Sequence, residues 1–274
     1  MGRKAELEQK IAEAEHAGRY RELVPLLEEK LEIVAAEEGR KSLAYGTVLN
    51  DYAGIQRDMG EYGKAEAAFL KAGEILKEQL GAEHPDYGTL INNLAGLYRL
   101  MGEYDKAIEN FKICGQIYEK TLGMDHFLTL SVKNNMGLAY QEKGEYLQAE
   151  ELYLYCLQKL KAQDNTLAIA TTQNNLATLY QKKGNLAEAL KQAKAAVKNY
   201  EMTVGTKHSL YVYGLNNLAG IYFSLGEYQK AKERFEEAIK LCAELFGKAS
   251  KNYESLKNNL ALTEERIDKQ RRGI

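Results

Sequence analysis

The chain has 274 residues, of which 45% are hydrophobic and 28% charged, and its formal net charge is −2. This nearly neutral balance argues against general nucleic-acid binding, which needs a basic surface. No apolar run approaches the about 18–20 residues of a membrane-spanning helix, so we expect no membrane partner. The first residues lack the apolar segment of a secretory signal, and this favours a cytoplasmic location.

A glycine returns along the chain at a nearly constant interval of 42 residues. It occupies positions 18, 60, 102, 144, 184 and 226, and most copies open the phrase Gly-Glu-Tyr. A fixed period of this size indicates stacked supersecondary units. Such a stack offers a long surface, so the sequence favours binding over catalysis and predicts that the chain is not an enzyme.

The pattern within each repeat predicts two amphipathic helices. The first, helix A, contains a pair of asparagines, carries apolar residues at helical spacing such as Leu94 and Tyr98, and ends near Gly102. The second, helix B, carries Ala107 and Phe111 at helical spacing and keeps the alanine in every full repeat. A second recurring glycine closes helix B, and both glycines are expected to adopt a positive φ.

The repeats predict one array over residues 1–274. A degenerate helix pair at 5–43 opens it, and a lone capping helix at 251–270 closes it. Five full repeats lie between, at 44–86, 87–128, 129–167, 168–210 and 211–250. The step into the fourth repeat is two residues short at 161–166 and lacks its glycine, so we expect the array to be weakest there.

These motifs resemble those of tetratricopeptide repeats. The phrases Leu-Asn-Asn-Leu-Ala-x-x-Tyr, Gly-x-Tyr-x-x-Ala and Leu-Gly-x-x-His-Pro (80–85) are similar to the long repeats of kinesin light chains. The resemblance covers nearly the whole chain. It implies an all-α fold, a right-handed tetratricopeptide-type superhelix (α-solenoid) of antiparallel helix pairs. It also implies that helix A lines a concave groove for a protein or peptide partner.

Helix A carries a second asparagine on the face opposite its apolar side. With Tyr98 numbered as position 11 of its helix, this asparagine is position 6, and it recurs as Asn93, Asn135, Asn175 and Asn217. An amide offers one acceptor and two N–H donors, like a peptide bond. The resemblance implies that these four side chains clamp the backbone of a bound peptide. The alternative is that they satisfy neighbouring helices, which we favour for the first asparagine of each pair, at position 5.

Selectivity would come from positions that vary between repeats. Arg57 and Arg99 share position 12 and are candidates to pair with an acidic side chain of the ligand, or are simply solvated charges. Tyr213 replaces the threonine or serine found at position 2 of the other repeats. Together with Tyr211 and Phe223 it is a candidate aromatic pocket, although the recurrence of Tyr211 in other repeats favours ordinary packing for that residue.

The positions of the cysteines and of three histidines favour structural roles over chemical ones. Cys114 and Cys156 occupy a slot that is alanine in other repeats, which predicts small buried thiols in a reducing compartment. His84, His126 and His208 recur at one loop position of different repeats, so they cannot converge on one metal ion and are expected to cap loops. We therefore expect no metal, no cofactor and no catalytic residue.

The sequence thus predicts a cytoplasmic, monomeric and non-catalytic scaffold that holds a protein or peptide partner, with no nucleic-acid or membrane partner. Two alternatives remain open. One is a peptide-sensing regulatory module that acts on a separate output protein. The other is a self-assembling structural repeat protein.

Overall fold

The computed structural model describes residues 3–16, 18–248 and 250–272, and these ranges contain thirteen α-helices and no strand. In chain order the helices are α1 (Arg3–His16), α2 (Tyr20–Glu37), α3 (Leu43–Asp58), α4 (Tyr62–Leu80), α5 (Pro85–Leu100), α6 (Tyr104–Thr121), α7 (Phe127–Lys143), α8 (Tyr146–Ala162), α9 (Thr166–Lys182), α10 (Leu186–Val204), α11 (Ser209–Ser224), α12 (Tyr228–Phe246) and α13 (Lys251–Arg272). The expected all-α fold of paired helices is confirmed.

The chain divides into two compact units, one through Lys143 and one from Gly144. In the first unit, helices α1 to α7 pack successively, and α3, α5 and α7 also contact one another in order. In the second unit, helices α8 to α13 pack in the same way, with α9, α11 and α13 in contact in order. Helix A of one repeat therefore lies beside helix A of the next within each unit.

Close packing of helix B depends on small residues. The alanine that recurs in every full repeat has no exposed surface at any of its positions, which are Ala65, Ala107, Ala149, Ala189 and Ala231. Cys114 and Cys156 are likewise completely buried, as predicted for thiols that stand in for alanine. A side chain of one or two heavy atoms lets neighbouring helices approach closely, which explains why larger residues do not occur there.

The turns are formed as the repeat pattern predicts. All the recurring glycines at both turn positions have positive φ values, between 62° and 101°. The three recurrent histidines each cap the next helix A, because Nδ1 accepts a hydrogen bond from the backbone N–H two residues later. The distances are 3.2 Å for His84, 3.2 Å for His126 and 3.1 Å for His208. The expected loop-capping role is confirmed.

The shortened turn between α8 and α9 replaces its glycine with an aspartate. Asp164 has a φ of 52° and is the one non-glycine residue with positive φ in the described ranges. In the corresponding turn after α10, Gly205 has φ 77° and ψ 173°, a conformation that is essentially restricted to glycine. Asp164 therefore carries backbone strain that the other repeats avoid.

Replacing Asp164 with glycine should relieve this strain. We expect Asp164→Gly to raise the free energy of unfolding by about 0.5–1 kcal/mol, the strain relief exceeding the extra entropy of the unfolded chain. The matched reverse change, Gly205→Asp, should lower it by about 1–3 kcal/mol. Urea denaturation followed by circular dichroism measures both, and a destabilising Asp164→Gly change would contradict the strain assignment.

Candidate functional site

The four position-6 asparagines lie on one face of the A helices, in two rows that we call the amide rows. Asn93 on α5 and Asn135 on α7 form the row of the first unit, and Asn175 on α9 and Asn217 on α11 form that of the second. All four side chains are half-buried. On α5, α9 and α11 the leucine at position 7 and the tyrosine at position 11 are buried on the opposite side, and this fixes the rotation that presents the asparagine.

Asparagines at positions 5 and 6 connect successive repeats through four hydrogen bonds. In each case the Nδ2 atom at position 6 donates to the Oδ1 atom at position 5 of the preceding repeat. The bonds are Asn93 to Asn50 at 3.2 Å, Asn135 to Asn92 at 3.4 Å, Asn217 to Asn174 at 3.0 Å and Asn259 to Asn216 at 3.3 Å. The structural role favoured for position 5 is confirmed for these acceptors.

These bonds use only part of the hydrogen-bonding capacity at position 6. Within the described residues, the Oδ1 atoms of Asn93, Asn135 and Asn217 accept no hydrogen bond, and one Nδ2 hydrogen of each remains unused. The side chain of Asn175 makes no hydrogen bond to the described part of the chain. An acceptor and a donor per residue are therefore left for another molecule.

Position 9, beside the amide rows, is a glycine on α5 and on α11. At position 9, a Cβ atom added to Gly96 would meet only the Arg57 guanidinium, at 3.8 Å, and one added to Gly220 would meet only the Gln181 amide, at 3.7 Å. The Gln181 Nε2 atom donates a hydrogen bond to the Gly220 carbonyl at 3.1 Å. The ends of the Arg57 and Gln181 side chains therefore lie against these two glycines, which carry no side chain of their own.

The two predicted selectivity cations have different surroundings. Arg99 Nη1 donates to Glu142 Oε1 at 2.6 Å, in an ion pair that is largely screened from solvent. Arg57 Nε donates to Asp58 on its own helix at 2.9 Å, and its two Nη groups make no hydrogen bond to the described residues. Arg57 therefore keeps a free guanidinium edge, whereas the charge of Arg99 is compensated by a neighbouring repeat.

The three aromatic residues of the last full repeat do not share a pocket. Tyr211 is buried and donates to Glu237 at 3.0 Å, and burial together with this carboxylate raises its pKa to about 12. Phe223 packs edge-on against Tyr228, with ring centroids 5.3 Å apart. Of the three, only Tyr213 is exposed at a surface pocket, where its hydroxyl accepts a hydrogen bond from Asn252 at 3.1 Å.

Comparison with known families decides the assignment of the repeats. The tetratricopeptide repeat model matches residues 46–120, 86–162, 128–202, 168–244 and 211–272. The chain belongs to the tetratricopeptide repeat family. Members of this family typically act as protein–protein interaction scaffolds rather than as enzymes.

Solved structures share the tetratricopeptide fold with this chain. BtubC (BKLC) from P. vanneervenii is 22% identical over 88% of this chain and 92% of its own, with a TM-score of 0.62. A putative kinesin light chain from Podosopora anserina is 24% identical over 72% and 95%, with a TM-score of 0.57. The apo quorum sensor NprR from B. thuringiensis is 18% identical over 94% and 68%, with a TM-score of 0.64.

At these identities the structural likeness establishes the fold alone. No curated protein matches the sequence. Among the described helices, none is both long and apolar enough to cross a membrane.

One tetratricopeptide position departs from the amide pattern. Asn134, at position 5 of α7, is only 9% exposed, and its Oδ1 atom is buried without a hydrogen-bond partner in the described structure. Its counterpart Asn174 is less buried but accepts the 3.0 Å bond from Asn217. A buried carbonyl without a donor lowers stability, whereas a satisfied one contributes to it.

The two asparagines should therefore respond differently to truncation. We expect Asn174→Ala to lower the free energy of unfolding by about 0.5–1.5 kcal/mol because it leaves Asn217 without its acceptor. Asn134→Ala should change it by less than about 0.5 kcal/mol, since removing an unsatisfied carbonyl offsets the lost packing. If burial alone determined the loss, Asn134→Ala would be the more destabilising of the two changes. Chemical denaturation of the two variants therefore distinguishes the effect of burial from that of the hydrogen bond.

Proposed function

We propose that this tetratricopeptide protein is a non-catalytic scaffold that holds a protein or peptide segment in the concave groove of its A helices. The amide rows would grip the backbone of the partner, and neighbouring positions that vary between repeats would select its sequence. Each row is proposed to act within its own unit.

The observation that carries this proposal is the unused capacity of the amides. Each position-6 side chain that donates to the preceding repeat still offers a carbonyl oxygen and an N–H group, which is the pairing that a peptide bond requires. The inter-repeat bond holds the amide in place before a ligand arrives, so less rotamer entropy is lost on binding. At position 9, Gly96 and Gly220 place no side chain of their own beside these groups.

Selectivity for an acidic side chain is proposed for Arg57 rather than for Arg99. The guanidinium edge of Arg57 is available and lies over Gly96, next to the row of the first unit. Arg99 is held by Glu142 and would have to break that ion pair first.

We also propose that the protein is a cytoplasmic monomer. The three cysteines are buried thiols and form no disulfide in the described structure, as suits a reducing compartment. On α13, the positions that form the apolar side in other A helices carry Lys257 and Glu264, both exposed. This polar surface does not favour stacking with a second copy.

The clamp is tested with peptides selected on the wild-type protein from a random display library. We expect the double variant Asn135→Ala/Asn217→Ala to lose about tenfold or more in affinity, measured by calorimetry, because one gripping amide is removed from each row. The loss should be similar for all selected sequences, since backbone contacts do not depend on side chains.

The matched control is Asn92→Ala/Asn174→Ala, which breaks the same two inter-repeat bonds from their acceptor side and keeps the position-6 amides. Its affinity should fall less than about threefold. An equal loss in both double variants would assign position 6 a purely structural role and refute the clamp.

A further inference from the structure

A surface pocket in the second unit lies at the junction of α11, α12 and α13. Its empty volume is about 330 Å³, and this figure includes solvent at the open mouth. Val212 and Leu256 are almost completely buried and form its base, whereas Tyr213 and Phe246 are 45% and 42% exposed at its sides. A space of this size holds one side chain rather than a cofactor.

Around the pocket, this repeat departs from other repeats at three positions. Tyr213 occupies the position that is a threonine on α3, α5 and α9. Phe246 directly precedes the turn glycine, and the residue at that position is a leucine at the end of α4 and directly after α6. On α12, Cys242 takes the slot that is tyrosine on α6 and α10, namely Tyr118 and Tyr200. The buried tyrosine that helix B has in those two repeats is therefore absent here, and helix A carries an exposed tyrosine, Tyr213, instead.

The chemistry of the lining favours an uncharged ring. None of the side chains that line the pocket carries a charge, so a charged occupant would lose its hydration without gaining a partner. Within the described residues, neither Tyr213 nor Phe246 pairs with another aromatic ring. Their faces and edges are thus available for the offset or edge-on contacts that aromatic rings prefer.

Polar groups at the edge of the pocket complement this apolar interior. Asn252 fixes the hydroxyl of Tyr213 through its Nδ2 atom, which leaves its own carbonyl oxygen available. Ser255 is exposed, lines the pocket and makes no hydrogen bond within the described residues. These groups match the backbone N–H and C=O that flank a side chain in a peptide.

We propose that this pocket binds one uncharged aromatic side chain of the partner segment. The inference rests on the proposed scaffold function for the source of the ring, while the pocket itself is defined by its own geometry. It assigns ring selectivity to Tyr213 and Phe246 and orientation to Asn252 and Ser255. The pocket is a specificity site, and the amide row of the second unit provides the sequence-independent grip.

The test uses N-acetyl-phenylalaninamide and N-acetyl-leucinamide as probes, with backbone amide chemical shifts of the full chain as the readout. We expect the phenylalanine probe to bind with a dissociation constant on the order of 1 mM and to shift amides around residues 212–216 and 252–256. Tyr213→Thr and Phe246→Leu, which restore residues found in other repeats, should each weaken it about fivefold. Phe127→Leu removes a similarly exposed ring elsewhere and should leave binding unchanged.

Three results would overturn the proposal: shifts scattered outside the pocket, equal binding to the two pocket variants and the wild type, or equal binding of the leucine and phenylalanine probes. Any of them could occur while the Asn135→Ala/Asn217→Ala variant still loses peptide affinity, and the scaffold would then stand without the pocket. If the phenylalanine probe binds the pocket but the Asn135→Ala/Asn217→Ala variant keeps its peptide affinity, only the proposed clamp is refuted.

Discussion

Contact between neighbouring helices at completely buried alanines is the constraint on which each unit depends. A single helix pair of this length cannot cover its apolar side, so its stability comes from the pairs that it packs against. At Ala107, for example, no surface remains exposed, and the large rings of Phe69 and Phe111 fill the space between layers. A larger residue at the alanine would separate the helices and shift every polar group that the A helices present.

The amide rows show how this packing and the candidate site depend on each other. Each position-6 asparagine reaches the position-5 asparagine of the preceding repeat only because adjacent A helices lie in a fixed register. In return, the bond restricts the amide to one orientation and consumes one of its donors. Such a side chain stabilises the array less than one whose hydrogen-bonding groups are all used, but it is better pre-organised to bind a ligand.

Sequence reasoning recovered what repeats within the chain and missed what depends on register between repeats. The positive-φ glycines, the histidine caps and the buried Cys114 follow from local pattern, because each role is complete within one turn or one helix. The partners of Asn93 and Arg99 are 43 residues away, and only the stacked structure selects them. Phe246 was also missed, although comparison with the leucines at its position in other repeats would have revealed it.

Residues that break the repeat pattern are where individual function can arise, because a position that recurs in every repeat is already used for packing. Arg57 and Arg99 illustrate this: they occupy the same position, yet Arg99 meets Glu142 on the next A helix, while the residue in the corresponding place for Arg57 is Leu100. A leucine cannot neutralise the guanidinium, which turns instead to Asp58 on its own helix and leaves its Nη groups available. One substitution in the following repeat thus decides whether an arginine stabilises the array or remains able to recognise a ligand.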